Sequence, residues 1–358
     1  MIQDKAIVPG LAVVEPNQTE WDRFTQQHPQ GNLLQAYAWG TLKAQFGWQP
    51  RRIAIAGSDG LLAGAQVLFR RRFGLSAAYV PRGPLLSGVV DVDRLLLQAI
   101  DRQARRSRAV FLRLEPNMLE CDTGSHALHS TLLLQKFRPA DPLQPRSSIH
   151  LTLDKSEDQL LTGMSKGHRA DIRRAARDGV TVRAGTLADF GAFYAILEAT
   201  SARGNFGIHS QAYHEAAWRL FAQHNAARLL LAERTGEALA AALVFAWAGT
   251  AIYHSSGSTA AGLKSGAQHA IQWHALQWAK EHGCEVYDFW GIPDTLGQAK
   301  AADEATRKHL EQAAHADPLY GVYRFKKGFG GNVVRFSPAY DYVYFPALYA
   351  FWRRRVTT

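Results

Sequence analysis

The chain has 358 residues, of which 47% are hydrophobic and 20% charged, and its formal net charge is +10. This excludes a disordered chain and leaves room for two domains of ordinary size, while the positive balance favours anionic partners: nucleic acid, phosphorylated substrates or an anionic membrane surface. Two cysteines, Cys121 and Cys284, make no disulfide framework or metal pair, and fourteen histidines show no HxxxH or HExxH spacing, so no metal site is expected.

The first residues, Met1-Ile2-Gln3-Asp4-Lys5, lack the basic and then apolar pattern of a signal peptide. The longest apolar run, 238–248, is too short to span a bilayer, so a reduced, cytoplasmic setting is expected. Residues 19–47 read as helical around a Pro29-Gln30-Gly31 break. Strands are expected at 52–56, 61–70 and 77–80, the last running into Pro81-Arg82-Gly83-Pro84. A helix over 91–106 and a strand over 109–115 close the first half. Prolines at 139, 142 and 145 rule out a helix there and mark a domain boundary.

A strand at 148–153 opens the second half. A helix starting near Ser156 continues into the cationic segment 166–177. From there the pattern repeats. Gly60 and Gly236 differ by 176 positions (236 − 60), and on that offset Phe69 falls on Phe245, Val110 on Val286 and Phe111 on Tyr287. Strand, turn, strand, strand, helix, strand recurs in one order, which reads as two copies of one α/β domain. Tyr287-Asp288-Phe289-Trp290-Gly291 reads as a strand ending at a loop, residues 299–316 as one short helix, and Tyr323 as the start of another strand. The run Arg324 to Gly331 joins cations, aromatics and glycines, poor core material and therefore a candidate site. The chain closes on an aromatic helix with a basic tail near 345–355, expected to pack on the first domain or to touch a membrane surface.

Several stretches together resemble the FemABX family of non-ribosomal peptidyltransferases. They are Leu34-Gln35 with Trp39-Gly40 and Lys43; Tyr79-Val80-Pro81-Arg82-Gly83-Pro84; Leu112-Arg113-Leu114-Glu115-Pro116; Arg169 with Ile172-Arg173 and Ala175; Arg203 with Phe206; Tyr287-Asp288-Phe289; and Gly321-Val322-Tyr323 with Phe325-Lys326-Lys327-Gly328-Phe329-Gly330. The resemblance implies an α/β (α+β type) fold of two tandem GCN5-related acetyltransferase-like domains, each a mixed sheet flanked by helices. Residues 1–147 plus 338–358 would form the first, precursor-binding domain, and residues 148–337 the second, for the aminoacyl-tRNA end and catalysis. The space between Pro293 and Tyr320 is too short for the family's coiled-coil arm, so the compact type is implied. Departures from the family pattern, Arg169-Ala170-Asp171-Ile172-Arg173 and Tyr253-His254-Ser255-Ser256-Gly257 among them, touch the acceptor site more than the reaction.

The implied activity is transfer of an amino acid from aminoacyl-tRNA to the stem-peptide amine of a UDP-linked or lipid-linked peptidoglycan precursor, without a cofactor. Attack of an amine on an ester needs alignment, proton removal and a stabilised oxyanion, and no Gly-x-Ser-x-Gly elbow or cysteine signature is present. By resemblance Lys326 serves the oxyanion and the tRNA end, and Phe325 stacks on the terminal adenine. Lys43 and Arg203 match the residues that hold the precursor's diphosphate; Arg82 and Tyr253 are further substrate-binding candidates. Asp288 and Glu115, at strand ends, are candidates to orient or deprotonate the amine. Arg169 and Arg173 lie on a cationic helix face suited to tRNA phosphates. A monomer is expected, with peripheral contact at the inner membrane surface as an option. The alternatives are an acyl-CoA-dependent N-acetyltransferase, whose phosphate loop Leu263-Lys264-Ser265-Gly266-Ala267 only partly matches, and a non-enzymatic RNA-binding protein.

Overall fold

The computed structural model describes residues 10–204 and 206–356, with side chains as far as 351. Residues 1–5 and the side chains of the basic tail, 352–355, lie outside the described residues. The chain divides into two compact units, one ending at Gln144 and resuming at Phe336, the other Pro145–Arg335.

In the first unit β1 (Ala12–Val14), α1 (Gln18–Gln27), α2 (Tyr37–Gln45), β2 (Gln49–Gly57), β3 (Gly60–Arg72) and β4 (Leu75–Val80) are followed by α3 (Val90–Arg106), β5 (Ala109–Leu114), α4 (Thr123–Leu134) and β6 (Arg138–Ala140). The local causes are ordinary ones. Asn17 and Glu20 form a capping box that starts α1. In α3, Val92, Leu96, Ile100 and Ala104 recur at helical spacing and are buried, while Asp91 and Asp93 sit in the first turn and Arg105 and Arg106 in the last, where each sign suits the dipole.

The second unit runs β7 (Ser147–Thr152), α5 (Glu157–Gly163), α6 (Lys166–Arg177), β8 (Thr181–Ala184), α7 (Phe190–Gly204), α8 (Gln211–Ala222), β9 (Ala227–Arg234), β10 (Glu237–Trp247) and β11 (Thr250–Ser258). It continues through α9 (Ala260–Ser265), α10 (Ala267–Glu281), β12 (Val286–Asp288), α11 (Asp294–Ala301), α12 (Glu304–Ala314), α13 (Tyr320–Lys327) and β13 (Asn332–Arg335). Then β14 (Ala339–Val343) and α14 (Pro346–Val356) return to the first unit.

Each unit holds one seven-stranded sheet, ordered β1-β2-β3-β4-β5-β14-β6 and, read from the matching edge, β8-β9-β10-β11-β12-β7-β13. In each, one pair is parallel (β4 with β5, β11 with β12) and every other pair is antiparallel. The two sheets are copies of one mixed α/β arrangement. The sixth strand of each comes from the chain that follows the other repeat: β14 follows β13, and β7 follows β6. Side chains pin this arrangement. Arg113 and Asp341 face each other across β5 and β14, and the guanidinium makes two 2.7 Å hydrogen bonds to the carboxylate with both residues buried. Removing one partner of such a pair costs about 3–5 kcal/mol because the other charge is left uncompensated.

The constant offset of 176 is approximate. The hairpin residues Ser58-Asp59 correspond to Thr235-Gly236, an offset of 177 (235 − 58), because Gly60 is already the first residue of β3 whereas Gly236 lies in the turn. Four expectations need correction. Residues 320–327 form a helix, not a strand: the alternation of Tyr323 and Phe325 imitates a strand's period, but the rings of Tyr320 and Tyr323 meet at helical spacing, tilted and 5.9 Å apart between centroids. Residues 299–316 are not one helix, since α11 ends at Ala301 and Asp303 caps α12 by accepting the Thr306 N–H. The helix from Ser156 breaks at Met164, where the Ser165 hydroxyl accepts the His168 N–H and starts α6 anew. Several elements were not expected, among them β1, α4, β6, β8, α7, α8, β13 and β14; β1 and β6 are strands of three residues, too short to carry a periodic signal.

Candidate active site

The second sheet ends its parallel pairing abruptly. β12 pairs with β11 over Thr250↔Val286, Ala251↔Tyr287 and Ile252↔Asp288, and on its other side runs antiparallel to β7 with Asp288 opposite His150. Beyond Asp288 the chain turns away: Trp290 adopts φ +63°, in the left-handed region, while β11 continues to Ser258. In open mixed sheets, such carboxyl-terminal strand ends, where neighbours part, are where ligands bind.

Lys326 meets this turn. It lies in the last turn of α13 and is only 7% exposed. Its Nζ donates to the carbonyls of Gly291 (2.7 Å) and Trp290 (3.2 Å). An ammonium has three N–H donors, so two are used by described residues. Burial pushes the Lys326 pKa down to about 7, partly opposed by the charge of Asp288. The same turn therefore binds both charges, because the Trp290 N–H donates to Asp288 Oδ1 at 2.7 Å.

Asp288 is buried, with two further partners on β7. The Ser148 hydroxyl donates to Oδ1, and His150 Nε2 stands 3.5 Å from Oδ2. Burial raises the Asp288 pKa, but His150, the Ser148 hydroxyl and the Trp290 N–H outweigh it and hold it at about 2. It is a fixed negative charge near neutral pH.

The glycines of Gly328-Phe329-Gly330-Gly331 have a structural explanation, which corrects their reading as non-core material. Phe329 is buried, stacked 5.9 Å from Phe289 and edge-on to Phe325 and His168. A Cβ at Gly328 would overlap the His168 ring, and one at Gly331, where φ is +81°, would stand 2.6 Å from the His150 carbonyl. His168 donates from Nε2 to the Phe325 carbonyl at 2.7 Å, and its Nδ1 is 2.9 Å from the Ser165 hydroxyl. A carbonyl only accepts, which places the proton on Nε2. His269 packs edge-on to His168 at 4.6 Å and lies 3.5 Å from Asp171, and burial lowers its pKa to about 4. Gly328→Ala is expected to displace the His168 ring and destabilise the protein by roughly 1–3 kcal/mol, read as a fall in the urea midpoint; an unchanged midpoint would mean the ring has room to move.

The remaining candidates fall as follows. Phe325 is half-buried, among His168, His269 and Phe329. Tyr253 lies in the core of the second sheet, its hydroxyl accepting from Gln268. Arg203, exposed at the end of α7, donates to Thr200 Oγ1 at 3.1 Å and to the Ser258 carbonyl. In α6, Arg169 donates to the Thr162 carbonyl at 2.7 Å, and Arg173 is exposed. Lys326, Phe325 and Asp288 thus gather at one strand end; Tyr253 is buried in the sheet beside it.

Three candidates belong to the first unit. Lys43 lies 5.5 Å from the Trp39 ring centroid, and burial, with a smaller effect of Arg70, lowers its pKa to about 8. Arg82 is buried at φ +48° with its guanidinium 3.8 Å over Phe336. Glu115 is buried and accepts from the Tyr79 hydroxyl (2.6 Å) and from the N–H groups of Leu143 and Gln144. Desolvation raises its pKa, and those hydrogen bonds oppose the rise.

Sequence reasoning missed Ser148, His150, His168 and His269. A signal existed for the first two: they alternate with Ile149 and Leu151 in a strand whose other face is core. Nothing local pointed to the other two.

Comparison with known proteins adds the following. A model of the FemAB family matches residues 17–132, and one described as an acetyltransferase (GNAT) domain matches residues 164–317. The lipid II:glycine glycyltransferase of Staphylococcus aureus is 30% identical over 227 residues, covering 59% of this chain and 52% of that protein. The chain therefore spans about half the length of the curated relatives it matches. A solved structure of FemX superposes with a TM-score of 0.83 at 20% identity, covering 95% of this chain and 99% of the other. A tandem GNAT protein from the clavulanic acid biosynthesis pathway shares the fold more distantly, with a TM-score of 0.53 at 12% identity over 93% of this chain and 98% of that one.

Proposed function

Because the chain belongs to the FemABX family, we propose that it is an aminoacyltransferase that moves an amino acid from aminoacyl-tRNA to the stem-peptide amine of a peptidoglycan precursor, building the interpeptide bridge. The observation that carries this reading is Lys326: a buried cation with two N–H groups fixed on the Trp290 and Gly291 carbonyls. The third N–H is the donor assigned to the developing oxyanion.

In the reaction the amine nitrogen attacks the ester carbonyl carbon, forming the C–N bond. The carbonyl oxygen becomes an oxyanion beside Lys326. Collapse breaks the ester C–O bond, and a proton passes from the amine to the leaving ribose oxygen. A donor fixed in a dry site before the reaction stabilises such charge without reorganising. Asp288, held ionised, is the counter-charge that keeps Lys326 partly protonated; at a pKa of about 2 it is a poor base and a good orienting group. Phe325 stacks on the terminal adenine, a contact of roughly 1–3 kcal/mol. Glu115, engaged by Tyr79 and two backbone N–H groups, supports its strand end and does not act on the amine. Lys43, Arg203 and Arg82 are assigned to the precursor, in keeping with Lys and Arg as phosphate ligands, and Arg169 and Arg173 to tRNA phosphates. The name of the S. aureus relative supports a lipid-linked acceptor and glycine as donor. The first unit is assigned to the precursor and the second to the aminoacyl end.

The acyl-CoA reading has less support. The turn before α10, where such enzymes bind pyrophosphate, is Gly266, and a Cβ there would overlap the Asp171 carbonyl of α6. The test is to supply the full chain with glycyl-, alanyl- and seryl-tRNA and with UDP-linked and lipid-linked precursors. Label on the stem peptide is the expected result. Transfer only from acetyl-CoA would overturn the proposal.

A further inference from the structure

The first unit carries a feature that the transferase reading does not use. We propose that one end of its sheet is a docking face for an anionic lipid surface.

Strand register defines this end. The tip of the β3–β4 hairpin lies between Arg72 and Leu75, which pair with each other. β4 is parallel to β5, with Ser76 opposite Ala109, so the start of β5 is at the same end. β14 is antiparallel to β5, with Val343 opposite Phe111, which brings the entry to α14 there. β6 pairs Arg138 with Asp341 and so begins at that end too. Adjacent strands are about 4.8 Å apart, so these four termini share one margin of the sheet.

The margin is apolar at its tips. Phe73 on the hairpin is 79% exposed, and Leu134, on the last turn of α4 before β6, is 86% exposed. α14 adds Leu348 and Phe351 at helical spacing, 38% and 49% exposed. Its other side is held to the sheet: Tyr349 packs edge-on to Phe111 at 5.4 Å and donates its hydroxyl to Asp341 at 2.5 Å. The outward residues are therefore presented by an anchored helix, not by a loose tail.

The surroundings are cationic. Arg71 and Arg72 precede Phe73, the Arg72 guanidinium lying 5.0 Å from its ring centroid, Arg106 and Arg108 stand at the turn into β5, and Lys136 precedes β6. All five are exposed and make no ion pair among the described residues. The sequence of α14 continues into Arg353-Arg354-Arg355. Of the carboxylates near this end, Asp101 pairs with Arg105 and Asp341 with Arg113.

Apolar tips among unpaired cations fit a bilayer surface with anionic headgroups: the tips enter the headgroup boundary while the arginines meet phosphate. An RNA backbone would meet the arginines equally well. It has no use for an exposed leucine, which cannot stack on a base. No described helix is long and apolar enough to cross a membrane, so the contact is peripheral. The inference stands apart from the transferase reading, although a lipid-linked acceptor would make it useful.

The test is co-sedimentation of the full chain with vesicles of phosphatidylglycerol in phosphatidylcholine, and with phosphatidylcholine alone. Binding to the anionic vesicles only, weakened by salt, is expected. Arg71→Glu with Arg72→Glu, and separately Phe73→Ser with Leu134→Ser, should each lower the partition by about tenfold or more. These side chains are exposed, so melting curves should not move, and the read-out needs no turnover. Absence of binding to anionic vesicles would overturn the proposal, as would binding by both double variants at the wild-type level. Loss of tRNA affinity in the arginine variant with vesicle binding intact would assign the face to RNA instead.

Discussion

Replacing Lys326 by methionine is expected to make the protein more stable and less active at once. Burial lowers the Lys326 pKa from 10.5 to about 7, so the folded state tolerates the ammonium poorly. Below pH 7 the lysine is charged in both the folded and the unfolded chain, and the folded state carries the full desolvation cost, up to about 5 kcal/mol. Between pH 7 and 10.5 the unfolded chain keeps a proton that the folded chain has released. Wild-type stability therefore rises with pH across that window, by at most about 1.4 kcal/mol per unit. Lys326→Met has no such slope. Its advantage is greatest at or below pH 7 and declines towards pH 10.5. Methionine leaves the Trp290 and Gly291 carbonyls without their lysine partner, which offsets about 1–3 kcal/mol of the gain but not the slope. Urea titrations of both proteins at several pH values read this directly. Parallel pH profiles would mean that Lys326 has an ordinary pKa. A group retained at such a cost in stability is the kind of residue that function selects.

The second large effect belongs to Asp288. Asp288→Asn keeps acceptors for the Ser148 hydroxyl and the Trp290 N–H but removes the charge near Lys326. The lysine pKa should then fall further below 7, and the protein should lose about 3–5 kcal/mol wherever Lys326 remains charged. Because transfer needs the ammonium, residual activity of the variant should move to lower pH. A separate acid signature follows from the carboxylate itself. Its folded pKa is lowered from 3.8 to about 2, so its contribution is present above pH 4 and is lost as pH falls through 2. Wild type should lose roughly 2–3 kcal/mol across that window that the variant does not. An Asp288→Asn protein with unchanged pH optimum and unchanged acid denaturation would show that the carboxylate is not coupled to this site.

The duplicated fold was legible because its signal is distributed. Register between halves survives a slip of one residue at the Thr235-Gly236 turn, since strand, helix and strand still recur in the same order. The site was legible only in part. Lys326, Phe325 and Asp288 stood out as chemistry beside unusual local sequence, and the structure gathers them at one strand end. The helix that carries Lys326 was misread because three aromatics within six residues, Tyr320, Tyr323 and Phe325, fit either period. Ser148 and His150 could not be joined to Asp288 from sequence, since the pairing of β7 with β12 spans 138 residues (288 − 150) and depends on a strand that enters the sheet from outside its repeat. The glycines after Lys327 read as poor core material and so as part of a site. They instead let His168 and β7 approach the α13 terminus.

The measurement that tests the central claim most directly is single-turnover transfer of a labelled aminoacyl group from charged tRNA to precursor, comparing wild type and Lys326→Met at pH 7. Both proteins should first be shown to melt cooperatively. The account predicts a stem peptide labelled by wild type and a rate about 10²–10³-fold lower in the variant, the usual effect of losing one oxyanion donor. A variant that transfers at the wild-type rate would contradict it.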